Sequence, residues 1–386
     1  MKKSRLIRNI LKWPCRISGI FLLILIGIVL LPYSLSPYYR FPAARPFQGD
    51  CWFNPYENLT GKWIQCNFHM HSRSWAGTTD GRDLPCDMYA VYRDLGYDAV
   101  SISNYQSIIK EKPDFCDYIP AYEHGFNASK CHRIAIGAKK VTWLDYLLWM
   151  NVHHKQHLIN HIRSQTDVLL LAHPNMRNSY TTDEMTRLTG YTAVEALNHY
   201  TFSLDKWDTA LSAGRPVWVM GNDDCHNISE DGQTGVRWTM IHAGAPDRAS
   251  LMEALQRGRM TAAAGFRAVN NNSLQAVTIE NNQLNIVCSR TADSVRFIGY
   301  GGKIKSVLYR TGRASCPLLQ SDSYIRTEIY TDRHALYLNP VLRYDGEKLQ
   351  GPAARILWVP TWIKRILVWG AAGALLLMAG LSRRKK

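Results

Sequence analysis

Eight side chains able to bind a divalent cation recur in order through the middle of this 386-residue chain. His69 and His71 are separated by one residue, and Asp80 follows. Glu123 and His132 come next, then His173 within Ala172-His173-Pro174, then Asp224 and His226 on either side of Cys225. Neutral imidazole nitrogens and carboxylate oxygens are the ligands of hydrolytic Zn, Mn or Fe centres. Two such ions held together lower the pKa of a shared water and clamp the attacking and leaving oxygens of a displacement. The residue types therefore point to metal-assisted hydrolysis.

Such ligands need rigid elements to converge. Trp63–His69 reads as a strand that runs into the His pair, and residues two apart on a strand face the same side. Val168–Ala172 is a continuous apolar run that delivers His173, with Pro174 ending the pairing. Val217–Gly221 does the same for Asp224 and His226. Asp98–Ser103 and Ala193–Leu197 are further strands, and Cys86–Leu95, Trp143–Arg163 and Asp205–Ala213 carry helical patterns. Alternating strands and helices, with ligands at strand C-terminal ends, predict a barrel of parallel strands.

Taken as a set, these motifs resemble the PHP (polymerase and histidinol phosphatase) family. The carriers are Phe68-His69-Met70-His71-Ser72, Thr79-Asp80-Gly81, Ala121-Tyr122-Glu123, His132, Ala172-His173-Pro174 and Asp223-Asp224-Cys225-His226. Val194-Glu195-Ala196 also looks like one of the family's strands, and the likeness spans Trp63 to Gly265. It implies a distorted (β/α)7 barrel and a metal-dependent hydrolase, most often a phosphoesterase. His69, His71, Glu123 and Asp224 would hold one divalent ion. His132, His173 and a bridging Glu123 would hold the second. A metal hydroxide would be the nucleophile, and Asp224 or His226 would shuttle a proton.

One motif departs from the family. Its T-D-H-N segment stands here as Ser103-Asn104-Tyr105-Gln106. The missing His would serve a third ion, and a phenol that stays protonated near pKa ~10 is a poor replacement. Asp80 and His226 alone are left for that position, so a dinuclear centre is expected. Arg82 and Arg177 are candidate phosphate-binding residues. Two other functions stay open at this point: hydrolysis of a non-phosphate bond at the same centre, and a catalytically silent PHP-like module that binds a cell-envelope ligand. The substrate would be a phosphorylated small molecule or an envelope component.

Outside this constellation, His153, His157 and His161 share one helix face, expected to be solvated. His124 would point away from the site, and His199 would border it. Nine cysteines are present, of which the eight after Cys15 would permit disulfides in an oxidising compartment.

The ends differ in character. Ile17–Pro32 and Ile366–Leu381 are apolar, and each has a basic, acid-free segment on its distal side. They predict transmembrane helices at 17–33 and 366–382, with the basic termini 1–16 and 383–386 in the cytoplasm and the barrel periplasmic at the inner membrane. Signal cleavage near Ser34-x-Ser36 is the alternative for the first. Ten cationic residues lie in those two termini, and taking them from the formal +15 leaves +5, so no nucleic-acid surface is expected. Residues 34–62 and 351–365 read as linkers, and 63–265 as the barrel. Over 266–350, short alternating segments such as Leu274–Glu280 and Tyr324–Tyr330 predict an antiparallel β-sandwich-like region.

Overall fold

The computed structural model describes residues 2–268, 273–347, 349 and 351–384. Helix α1 (Lys2–Leu35) leads to the short strands β1 (Tyr39–Arg40) and β2 (Cys51–Phe53). Then come β3 (Lys62–Asn67), α2 (Pro85–Asp94), β4 (Ala99–Val100), β5 (Ala121–His124), β6 (Arg133–Ile136), α3 (Val152–Arg163) and β7 (Val168–Leu171). Next are α4 (Thr182–Arg187), β8 (Ala193–Asn198), α5 (Leu204–Ser212), β9 (Trp218–Asn222), β10 (Arg237–Ala243), α6 (Arg248–Arg257) and β11 (Met260–Ala264). The C-terminal part holds β12 (Leu274–Glu280), β13 (Gln283–Gly299), β14 (Lys303–Pro317), β15 (Tyr324–Tyr330), β16 (Ala335–Tyr344), β17 (Arg355–Ile356) and α7 (Trp358–Arg384).

Local chemistry explains several boundaries. The helical pattern from Trp143 begins only at Val152, because the Asn151 side chain accepts hydrogen bonds from His153 and His154 N–H and fixes the N-terminus there. Helix α6 starts on the Asp247 side chain and ends at Gly258, whose φ is 76°. A Cβ at Gly258 would lie 2.6 Å from the Trp218 ring, so only glycine lets the helix end against β9. Strands β5 to β9 are buried along their whole length, and in β7 (Val168-Leu169-Leu170-Leu171) this follows from an unbroken apolar run.

The closed parallel barrel and the separate sandwich are both overturned. One sheet has five strands in the order β5-β6-β7-β8-β9. Its β7, β8 and β9 are parallel, but β5/β6 and β6/β7 are antiparallel. Only the loop 125–132 joins β5 to β6, too short for the crossover of about a dozen residues that a parallel pair needs. The second sheet has ten strands and runs β12-β13-β15-β16-β11-β10-β3-β4, with β14 on β13 and β2 on β16. Its ladder crosses from β11 to β16 through Thr261↔Leu338 to Ala264↔Ala335. The C-terminal strands therefore extend the sheet that carries β3, and one apolar cluster joins Met70 and Trp238 to Val295 and Leu338. Isolated bridges Met70↔Cys225 and Tyr105↔Glu123 bring the two sheets together, giving a curled half-barrel whose strands meet at the ligand-bearing ends.

The flanking transmembrane helices are overturned as well: among the described residues no helix is long and apolar enough to cross a membrane. The expected spans hold about 17 residues each, below the ~20 that a bilayer core requires. Beyond those runs the helices turn polar, α7 through Lys364 and Arg365. Lys364 is occupied, donating to Tyr33 O at 3.1 Å and Ser36 Oγ at 2.7 Å and so joining the start of α7 to the end of α1. Lys385 and Lys386 of the expected tail lie outside the described residues. Cys51, Cys66, Cys86, Cys116, Cys131, Cys225, Cys288 and Cys316 are free thiols.

Of the three histidines expected on a solvated face of α3, His161 is exposed, but His153 and His157 are half-buried and bonded. His153 Nδ1 accepts from Tyr39 N–H at 3.0 Å, and His157 Nδ1 pairs with the Tyr146 hydroxyl at 2.7 Å. His154 stacks on Tyr146 with centroids 4.3 Å apart. Burial pushes His154 and His157 down to about 4. A depressed histidine stabilises the fold fully above the unfolded value of ~6.5, and that stability is lost as pH falls toward about 4, because the unfolded chain binds the proton first. Replacing His154 with Phe should therefore flatten the pH dependence. In urea melts, the wild-type midpoint should fall more steeply than that of His154→Phe between pH ~6.5 and ~4. Parallel curves would refute this account.

Candidate metal centre

Strand ends deliver the site. His69 and His71 follow β3, Glu123 lies on β5, His132 immediately precedes β6, His173 follows β7, and Asp224 and His226 follow β9. The backbone is strained at two of these residues: φ is 29° at His173 and 53° at Asp224. Such conformations persist only where surrounding contacts impose them. Gly125, with φ at 131°, admits the close approach of the next loop, since a Cβ there would lie 3.0 Å from His132 Cδ2.

Glu123 and Asp224 are the hubs. His132 Nδ1 lies 2.7 Å and His173 Nε2 3.3 Å from Glu123 Oε1, and His71 Nε2 lies 3.2 Å from Oε2. His69 Nε2 and His71 Nε2 lie 3.0 Å and 3.3 Å from Asp224 Oδ1. Four overlapping triads result: His69/His173/Asp224, His69/His71/Glu123, His71/Asp224/His226 and Glu123/His132/His173, all buried. Asp80 stands at the mouth, its side chain 58% exposed and its Oδ1 3.3 Å from His226 Nε2.

These atoms fit divalent cations better than they fit one another. His69 Nε2, both nitrogens of His71, His132 Nδ1, Glu123 Oε2 and Asp224 Oδ1 are buried without an aligned hydrogen-bond partner. Such a set is costly unless something binds it. Among the described residues no Lys or Arg pairs with Glu123, Glu195 or Asp224. Burial alone would push Glu123 and Asp224 up, yet the surrounding imidazoles, led by His132 and His69 respectively, hold both well below the usual carboxylate range. Burial opposes the charging of His69, but Asp224, Glu195 and Glu123 lift it well above its ordinary value. The buried cluster is a candidate site for divalent metal ions.

Glu195 was not among the ligands expected from sequence, where its signal was the run Val194-Glu195-Ala196 alone. It is fully buried on β8 and accepts from His69 Nδ1 at 2.9 Å, Asn222 Nδ2 at 3.0 Å, His173 N–H at 3.0 Å and Asn198 Nδ2 at 3.0 Å. It thus fixes the His69 proton on Nδ1 and turns Nε2 toward Asp224 and Glu123. Asn198 also donates to Asp224 Oδ2 at 3.0 Å. Neither asparagine carried a signal in the sequence. Asp223 is structural: it gathers the N–H groups of Gly235, Val236 and Arg237, closing the β9–β10 turn.

The remaining candidates separate. Tyr105 stacks on His71 at 4.4 Å and so covers one side of the cluster, and burial pushes its phenol far up. His124 turns away to Leu144 O at 2.8 Å, and burial pushes it down to about 4. His199 contacts Asp223 O beside the site. Arg82 places its backbone N–H on His226 O at 3.0 Å, but its side chain does not line the cleft. Arg177 does line it, together with Lys130, a cation that sequence reasoning passed over. This cleft of about 680 Å³ lies over Asp80, Tyr105 and His132 and is rimmed by Trp75, Phe126 and Trp143. Those three rings are exposed and meet edge-on at Trp75, each 6.0 Å away.

Comparison with known proteins adds little. No family model matches the chain. No curated protein matches it. Among solved structures, a two-domain protein from Bacteroides vulgatus ATCC 8482, containing a predicted PHP-like metal-dependent phosphoesterase, is similar at 14% identity with a TM-score of 0.41. The match covers 79% of this chain and 92% of that one.

Replacing Glu195 with Gln would set an NH₂ group against N–H donors that now share a carboxylate. Metal affinity should fall by about 10–100-fold with the fold retained. Competition against a fluorescent chelator measures this, and an unchanged affinity would refute the positioning role.

Proposed function

We propose that this chain is a PHP-type metal-dependent phosphoesterase with a dinuclear centre. The observation that carries the reading is the sharing of Glu123 and Asp224 among buried triads whose ligand atoms lack partners. His69, His71, Glu123 and Asp224 would hold one ion, and Glu123, His132 and His173 the other. When bound, the ions supply a low-pKa water and neutralise charge developing on the phosphoryl oxygens. Phosphate as the reacting group is supported by Lys130 and Arg177, the cations in the cleft above the cluster.

The protein's own groups complete the chemistry. Glu195 orients His69, and Asn198 holds Asp224 so that Oδ1 faces the two imidazoles. His226, between Asp224 and exposed Asp80, is the group placed to pass a proton between the cleft and solvent. The Tyr105 ring over His71 excludes water from that side and takes the place of a ligand for a third ion. The rim of Trp75, Phe126 and Trp143 would receive the organic part of the substrate by ring stacking.

Protein purified from medium supplied with Zn, Mn and Fe should contain about two divalent ions per chain by mass spectrometry of the metals. Replacing His69 and His71 with Ala should remove about one ion and abolish phosphate release from phosphomonoesters, with circular dichroism unchanged. Metal-free wild-type protein would overturn the reading. Metal-loaded protein that cleaves lactones or amides but no phosphoester would overturn its phosphate part.

Trp143 is 64% exposed, so Trp143→Ala should leave stability within ~0.5 kcal/mol. The same change should raise KM for an aryl-bearing phosphoester by about 3–10-fold, as loss of one stacking contact predicts, while KM for a small alkyl phosphate stays the same. Equal effects on both substrates would exclude the ring platform.

A further inference from the structure

A second polar cavity, of about 200 Å³, lies at the other end of the parallel strands. Tyr191 and Thr192 lead into β8, Arg215 and Pro216 lead into β9, and Arg163 ends α3. The metal cluster sits at the opposite, C-terminal ends of β8 and β9, about five residues or ~17 Å away along a strand.

Its lining is one-sided in charge. Two arginines, Arg163 and Arg215, face the cavity, and among the described residues no acidic side chain lines it. Arg215 is only 2% exposed. Its Nη2 donates to Pro42 O at 3.1 Å and Thr186 O at 2.6 Å, but Nε and Nη1 are buried with no partner. The hydroxyl of Tyr191, 5% exposed, is also without a partner. Burial pushes the Arg215 guanidinium down and the Tyr191 phenol up, and each is the titratable group that acts on the other. A buried cation with idle N–H groups and no counter-charge is expensive in a folded protein. Gly190, with φ at 87°, shapes the wall: a Cβ there would press on Arg163 Nη1 at 3.3 Å. Ala354 N–H, bonded to Thr189 Oγ1 at 3.0 Å, brings the 351–354 segment over the opening.

We propose that this cavity binds a small tetrahedral oxyanion of phosphate type. Arg215 Nη1 would donate to one of its oxygens, and the Tyr191 hydroxyl would donate to another. The site is separate from the metal cluster and does not depend on the reading of that cluster.

Calorimetric titration of the full-length protein with inorganic phosphate tests the site, with chelator present so that metal-bound phosphate does not contribute and chloride at matched ionic strength as control. Wild type should bind phosphate and not chloride. Arg215→Met should weaken binding by about tenfold or more, and Tyr191→Phe by about two- to fivefold. If Arg215→Met fails to fold, Tyr191→Phe and Arg163→Gln carry the test, each expected to weaken phosphate without altering circular dichroism. Glycerol 3-phosphate serves as a second ligand: tighter binding than phosphate with the same sensitivity to Tyr191→Phe would assign the site to an esterified phosphate. No binding by chelated wild type, or variants that all bind as wild type does, would overturn the proposal.

Discussion

Buried negative charge with no lysine or arginine beside it, among the described residues, is the constraint on which the centre of this molecule depends. Glu123, Asp224 and Glu195 sit within one shell of imidazoles, all removed from water, and among the described residues none is met by a lysine or arginine. Hydrogen bonds from an imidazole, two asparagines and a backbone N–H satisfy Glu195. Glu123 and Asp224 are left with open lone pairs facing open ring nitrogens. A carboxylate removed from water without such compensation costs several kcal/mol. Divalent cations answer that demand, and the strained backbone at His173 and Asp224 holds the ligands ready for them.

The split into two sheets follows from the same need. Ligands come from β3, β5, β6, β7 and β9, and these strands must converge at one end. The bridges Met70↔Cys225 and Tyr105↔Glu123 make that convergence, each one residue from a ligand or on it. Strand β10 then pairs antiparallel with β3, β11 with β10 and β16 with β11, which carries the sheet into the C-terminal strands. The buried Arg326–Asp208 pair, with Nε–Oδ1 and Nη2–Oδ2 both at 2.8 Å, locks β15 to α5 on the outside of this arrangement. The C-terminal region is thus a buttress built into the sheet that holds His69 and His71.

The two proposed sites lie at opposite poles of the parallel strands. The C-terminal ends carry acids and imidazoles under an aromatic rim, a candidate site for divalent cations. The N-terminal ends carry arginines and hydroxyls, the site proposed for an anion. Opposite charge preferences at the two ends of β8 and β9 arise mainly from the flanking loops, while the strands between them are buried along their length and serve as the rigid support.

Sequence by itself named the candidate ligands and the local elements that present them. His69 and His71 at a two-residue spacing, Ala172-His173-Pro174 after an apolar run, and Asp224-Cys225-His226 were legible because strand periodicity and chain order are local properties. Strand β12 and strand β15 were legible for the same reason, down to Leu274–Glu280 and Tyr324–Tyr330. Strand direction and sheet membership were not, because pairing depends on contacts between distant segments; hence the antiparallel β5/β6/β7 and the fusion of the C-terminal strands with β11. The role of Glu195, the stacking of Tyr105 on His71, and the separation of Arg177 from Arg82 also awaited the tertiary structure. Each depends on which atoms approach across the fold, and a sequence records residue types and their order but not those approaches.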